Sequence, residues 1–468
     1  MAAPVQQVFL MAASATPLAG FVGAQVYTSA IGTTNFISRT AAQWDSEHFD
    51  THAFHDSGSN TRLTIPAALD QYYVVVLGSV NMTNLSTGFD ICIAKNGSIT
   101  FDGTSAYMGD ISVTSAGADG VSNQMFLQCR TPPIQVSAGD YFELMLQSNG
   151  DNNVTANLDR SSFAIYVVGS SVMGCLVKNT SDLTSQNYSS GGVIAWASEV
   201  YDTDAFHSTS SNQSRITIPS AANGRYGILK ANIRLSSVSA NQNVNVGINK
   251  GGTPFYIGFG QQNAQSGSSS YGWVEAETQP VLLTTGDYFE AAMFCNDSST
   301  TVDANASSFS LEVLPVSFQG ALCKINANVT GHNYSTPEDL TWNGTDVYDT
   351  TGADQHDPAS NNTKIIITSG LNGKYAILQS NVYTSLVAGG NTNSIAIQKG
   401  NTNIYNGFGG RGSHNGTFNN TSLSGRTQIV QLTPADEFTC QFYIDDTSVT
   451  LEESVTSFGI RVLPELSA

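Results

Sequence analysis

The chain has 468 residues, too many for a single hydrophobic core and enough for three domains. Only 12% of its residues are charged, and 37 Asp and Glu against 18 Lys and Arg give a formal net charge of -19. Nucleic-acid phosphates and anionic membrane surfaces repel such a balance, which argues against both as partners, and no apolar run is long enough to span a bilayer as a helix.

Residues 1–26 carry no charged side chain at all. The apolar run ending in small residues resembles a signal peptide, but no Lys or Arg precedes it and Pro4, Gln6 and Gln7 interrupt it. It is therefore expected to be a retained arm. An uncharged apolar segment needs something to dock on, and Phe9, Leu10 and Phe21 are its expected anchors.

From there the chain repeats itself three times, giving expected domains at 27–169, 174–315 and 320–464. Each copy opens on a tryptophan (Trp44, Trp196, Trp342), followed by an Asp-rich loop that contains one recurring histidine (His55, His207, His356). Next comes a short alternating strand, as in Arg215, Ile216, Thr217 and Ile218, which reads as half-buried β-structure. Pro219 and Gly224 bound a turn before a second strand begins at Tyr226; the first copy has Pro66, whereas the third has Thr368. A strand running into a turn at Lys95-Asn96-Gly97, Lys250-Gly251-Gly252 and Lys399-Gly400 predicts a β-hairpin. A Gly-rich excursion follows, least alike among the copies. The turns Gly139-Asp140-Tyr141 and Gly286-Asp287-Tyr288 are answered by Ala435-Asp436-Glu437 in the third copy, and each module closes on a strand containing Phe163, Phe309 or Phe458. Asp140, Asp287 and Asp436 keep nearly constant spacing over a whole-domain length, which means repeated domains and not a solenoid.

The ordered set of tryptophan, Asp-rich loop, strand-Pro-Gly-x-Tyr, Gly-Asp-Tyr and Ser-Phe strand resembles the globular heads of complement C1q and the tumour necrosis factor superfamily. It is most similar to C1q-like modules in structural proteins of tailed-phage virions. The resemblance covers nearly all of the chain outside the arm. It implies an all-β protein of three tandem jelly-roll sandwiches that assembles as a homotrimer, with inner-strand aromatics around the trimer axis; the alternative is one chain folding its three modules into a pseudo-trimer. Tyr226, Tyr288 and their equivalents are candidates for that axis, but each module's own core is the expected place for them.

No GxSxG, HExxH, P-loop or dinucleotide fingerprint occurs, so the chain is expected not to be an enzyme. The six cysteines do not recur at equivalent positions, and most sit inside apolar runs, which predicts buried free thiols. One constellation has ligand character: Asp50, His55 and Asp56; Asp202, Asp204 and His207; Asp349, Asp354, His356 and Asp357. Hard oxygen donors in a loop suit calcium, and some C1q-like heads bind it. The alternative is that Asp202 closes a turn and His207 bonds a backbone carbonyl.

These readings lead to an expected virion structural protein, a trimeric fibre, spike or capsid decoration (cement) protein. It would attach to capsid or tail proteins through the arm and contact a host-surface glycan. The alternative is a secreted C1q-like lectin or adhesin, which the many Asn-x-Ser/Thr sequons would suit.

Overall fold

A computed structural model of the chain describes residues 18–28, 38–83, 89–98, 108–113, 124–148, 155–239, 243–263, 271–351, 355–385, 393–400, 402–405, 420–444, 446, 448–453 and 455–467. Each repeat is a two-sheet antiparallel sandwich. In the middle repeat the first sheet runs Leu183–Gln186, Thr300–Val302, Tyr226–Ser236, Ser308–Val313, Met173–Lys178, Ser198–Asp202, and Tyr271–Glu277 also pairs Tyr226–Ser236. The second runs Gly192–Val193, Tyr288–Cys295, Asn243–Lys250, Thr253–Asn263. The chain crosses repeatedly between sheets and lays its first strand beside its last, the jelly-roll arrangement. The expected all-β, jelly-roll fold is what forms.

The repeated residues explain why. Trp44, Trp196 and Trp342 are fully buried and stack on the closing-strand Phe163, Phe309 and Phe458, at centroid distances of 5.9, 6.4 and 5.7 Å. Each tryptophan therefore bridges the two ends of its own module. The hairpin lysines reach the turn aspartates as ion pairs, Lys95–Asp140 at 2.8 Å, Lys250–Asp287 at 2.6 Å and Lys399–Asp436 at 2.7 Å. The third module tolerates its departures. Ala435 adopts φ 68° where Gly139 and Gly286 have 84° and 86°, and Thr368 starts the same 3₁₀ turn as Pro66 and Pro219.

The arm is shorter than expected. Gly23–Tyr27 is the first strand of the first module, paired with Thr155–Gly169 and Ser46–Asp50, and Val22 and Val26 lie in that module's core. The strand was hidden because it lacks the terminal lysine of its counterparts Met173–Lys178 and Gly320–Lys324, so it blended into the uncharged run before it. Its signal was Gly23 itself. A Cβ at Gly23, Gly174 or Gly320 would strike the carbonyl oxygen of Ile165, Leu311 or Ile460, so the position must stay glycine in all three copies. Phe21 is not a free anchor: it stacks on Tyr375 of the third module at 4.1 Å. Phe9 and Leu10 lie outside the described residues.

The modules form a closed ring. The aromatic before each loop aspartate packs on the tyrosine that opens a neighbour's inner strand: Tyr201 on Tyr73 at 6.0 Å, Tyr348 on Tyr226 at 4.8 Å and Phe49 on Tyr375 at 5.0 Å. The second module thus grips the first, the third grips the second, and the first grips the third. Such head-to-tail contacts close when the rotation permits, and here it does. Apolar clusters fill each joint, around Cys92 and Leu176, around Ile228 and Leu322, and around Val75 and Ile377. The chain ends complete the ring, with Gly20 and Leu466 exchanging backbone hydrogen bonds of 2.9 and 2.8 Å.

One expectation is corrected by this ring. Tyr226 and its equivalents join modules and do not fill their own cores, whereas Tyr288 stays at home beneath the Arg215 guanidinium, 4.0 Å from its ring centroid. Like modules meet around one axis within this chain, as in the pseudo-trimer alternative.

All six cysteines are buried and unlinked. Native protein should therefore leave a thiol reagent such as Ellman's essentially unreacted, and denatured protein should titrate all six thiols of the sequence. Fewer than six after unfolding without reductant would mean a disulfide.

Candidate functional site

The Asp-rich loops are closed by their own aspartates. Asp50 accepts from the backbone N–H of His52 at 3.1 Å and of His55 at 2.8 Å. Asp202 accepts from Phe206 and His207, both at 2.9 Å, and Asp349 from Thr351 at 2.9 Å and Gln355 at 2.8 Å. The recurring histidines face a carboxylate from the preceding strand or loop: His55 with Glu47 at 2.8 Å, His207 with Glu199 at 2.9 Å and His356 with Asp346 at 2.7 Å. The Nε2 of His207 also meets the carbonyl of Gln213 at 3.0 Å.

Asp56 caps a 3₁₀ turn through the N–H of Gly58, Asp204 bonds Thr203, and Asp357 takes the N–H of Ala359. Asp354 lies outside the described residues. In each loop the first aspartate accepts backbone N–H groups, as a turn-closing residue does, and no group of three or more His, Cys, Asp or Glu side chains placed to hold a metal ion occurs among the described residues. The loop is a turn device that presents the aromatic Phe49, Tyr201 or Tyr348 to a neighbouring module.

The chemistry instead collects on the ring axis, at residues the motif reading passed over. Strand register makes three sets equivalent: Arg130, Glu277 and Arg426; Leu77, Lys230 and Gln379; Tyr166, Glu312 and Arg461. All project from the sheet face that turns inward, and nearly all are buried. Three identical chains would place like residues against like at these positions. The tandem chain places unlike ones, so Arg130 of the first module pairs with Glu312 and, at 3.5 Å, with Glu277 of the second. Arg426 of the third reaches Glu277 at 3.4 Å, and Lys230 lies between Glu275 and Glu277.

Amide bridges add specificity. Gln25 donates to Gln428 at 2.9 Å and accepts from the N–H of Ile429 at 2.9 Å, and Gln279 donates to the carbonyl of Gln379 at 2.8 Å. Burial alone would raise the Glu277 pKa. The surrounding charges, Arg130 first and then Lys230, Arg426 and Arg461, outweigh it and hold the carboxyl far below the ordinary range. A sequence signal for this face existed: Val74, Val75, Val76 and Leu77 are apolar without alternation, as a strand buried on both faces is.

At the end of the axis where the inter-module linkers lie, Tyr166, Glu312 and Arg461 open into a cavity of about 500 Å³ between all three modules.

No protein-family model matches the chain, and no curated protein matches it. Among solved structures, the Eiger TNF from S. frugiperda is 9% identical, covering 32% of this chain and 92% of that chain with a TM-score of 0.23. The tandem CBM22-1–CBM22-2 domain of Paenibacillus barcinonensis Xyn10C is 12% identical, covering 65% and 99% with a TM-score of 0.19. The jelly-roll assignment rests on strand pairing and not on these likenesses.

Replacing Glu277 with Gln should destabilise the chain by roughly 3–5 kcal/mol, because it strands several buried cations. A folded pKa below the unfolded value contributes stability that is present above about pH 4.3 and is lost as pH falls towards the folded value. Denaturant titrations from pH 7 to pH 3 should therefore show an acid-side loss in the native chain that E277Q lacks. Equal slopes in both would remove Glu277 from the axis account.

Proposed function

We propose that this chain is a non-enzymatic structural protein of a tailed-phage virion, a single-chain three-module head that decorates the particle or projects from it as a fibre or spike. The observation that carries this reading is the closed ring with its chain ends and linkers gathered at one end of the axis, where Gly20 meets Leu466. A unit built in this way has one pole for attachment and leaves the other free, which suits a projecting element. Gly20 lies at that pole, and the residues before Leu18 in the sequence are uncharged and largely apolar, as a docking peptide on a capsid or tail protein needs to be. Because three like modules are already present in one chain, each attachment point takes one chain and not three.

The non-enzymatic part of the reading is supported by the loops. Their repeated carboxylates accept backbone N–H groups, and their histidines are held against neighbouring acids. The free pole is the surface proposed to meet a host glycan.

Deleting residues 2–17 tests the attachment. The truncated chain should keep its folded ring, seen as an unchanged melting temperature, while its incorporation into particles is lost. Normal occupancy of particles by the truncated protein would show that the segment is not the anchor. Three full-length copies at each attachment point would contradict the one-chain unit.

A further inference from the structure

Among the described residues the two most exposed large aliphatic side chains are Val316, 88% exposed, and Leu282, 52% exposed. Both border one joint. Leu282 pairs with Tyr226 in register, so the two side chains share one face of the sheet. On the other side of Tyr226, its carbonyl accepts the N–H of Leu314, two residues before Val316. The Tyr226 ring packs on Phe318 and Tyr348, with centroids 5.3 and 4.8 Å away. An apolar rim thus runs from Leu282 across the partly buried Tyr226 to Val316, over the joint of the second and third modules. The other modules place polar residues there. Gln135 and Gln431 stand where Leu282 does and donate to the carbonyls of Gln71 at 3.3 Å and Gly373 at 3.4 Å. Ser170 and Glu465 stand where Val316 does. The fold itself therefore does not require the rim.

The first described residues lie at the same pole. Gly20 exchanges backbone hydrogen bonds with Leu466, and Pro464 and Glu465 line the same cavity of about 500 Å³ as Pro315 and Val316. Before Leu18 the sequence has six residues without a bulky side chain, 12–17, and before those Val8, Phe9, Leu10 and Met11, the bulkiest apolar run of the uncharged segment. Extended, six residues span about 20 Å, more than the width of a compact cavity of that volume. A tether this short holds the run near the rim at an effective concentration on the order of millimolar. The charged residues lining the cavity are Glu312, Glu465, Lys374 and Arg461, two of each sign, and an uncharged segment is repelled by neither.

We propose that in the free chain residues 8–11 fold back over this rim, with Phe9 and Leu10 covering Leu282 and Val316. Both partners then remove apolar surface from water that neither can hide alone. Docking here does not depend on the virion role: attachment to a particle exchanges one cover for another, and either can fail while the other stands. The ring is complete without the segment, so undocking precedes melting and the melting temperature does not report it.

Limited chymotrypsin digestion of the intact chain tests it, read as release of the peptides ending at Phe9 or Leu10. Release should be at least tenfold slower from the native chain than from the double variant Leu282→Gln, Val316→Ser. That variant takes the residues of the first module at both positions and should melt at the native temperature. Reciprocally, deleting residues 2–17 should speed amide hydrogen exchange at Val316 and Ser317 at least tenfold. Equal release from native and variant chains overturns the assignment, and so does exchange that the deletion leaves unchanged. Protection that appears only as protein concentration rises would give the rim to a second copy and overturn the same-chain contact. If the double variant melts lower than the native chain, the exchange comparison decides alone.

Discussion

The charged axis is the constraint on which the rest of the molecule depends. A jelly roll buries one face of each sheet in its own core, but Tyr226–Ser236 is buried along nearly its whole length, on both faces. The second face is covered only when three modules meet. In an assembly of identical chains, symmetry would bring three copies of each axial residue together, and three arginines at the position of Arg130 would repel at close range. Joining the modules in one chain removes that restriction. Arg130, Glu277 and Arg426 occupy one structural position and are free to complement one another. The ion pairs themselves add little net stability when their desolvation is counted. Their effect is on order: they specify which module stands beside which.

The joints follow the same logic with apolar groups. Each loop aspartate spends its carboxylate on its own backbone, which fixes the loop and aims the residue before it. That residue, Phe49, Tyr201 or Tyr348, then packs against a tyrosine of the neighbouring module. A local turn thus becomes a long-range contact. The ring closes because the third joint, between the first and last modules, is built like the other two and is reinforced where Gly20 pairs with Leu466.

Much of this was legible in the sequence. The recurrence of tryptophan, Gly-Asp turn and Ser-Phe strand gave three all-β modules, and the cysteines inside apolar runs are buried thiols. What escaped has physical causes. Gly23–Tyr27 lacks the lysine that ends its counterparts, so an essential strand passed for part of a tail. Asp202 and His207 have the residue types of a calcium loop, but residue type does not say where side-chain atoms point: Asp202 accepts backbone N–H groups, and the His207 ring meets the Glu199 carboxylate and the Gln213 carbonyl. Glu312 lies within an apolar strand, and its role depends on Arg130, more than a module-length away in sequence. Alternation along one strand cannot reveal a charge that is neutralised by another module.

The claim that one chain supplies all three members of the ring is tested most directly by its mass in solution. Sedimentation equilibrium of the full chain, followed over a wide range of concentration at neutral pH, should give the mass of a single chain throughout. A mass of three chains that falls only as the structure is lost would mean that the like faces join separate molecules, and the single-chain axis would be wrong.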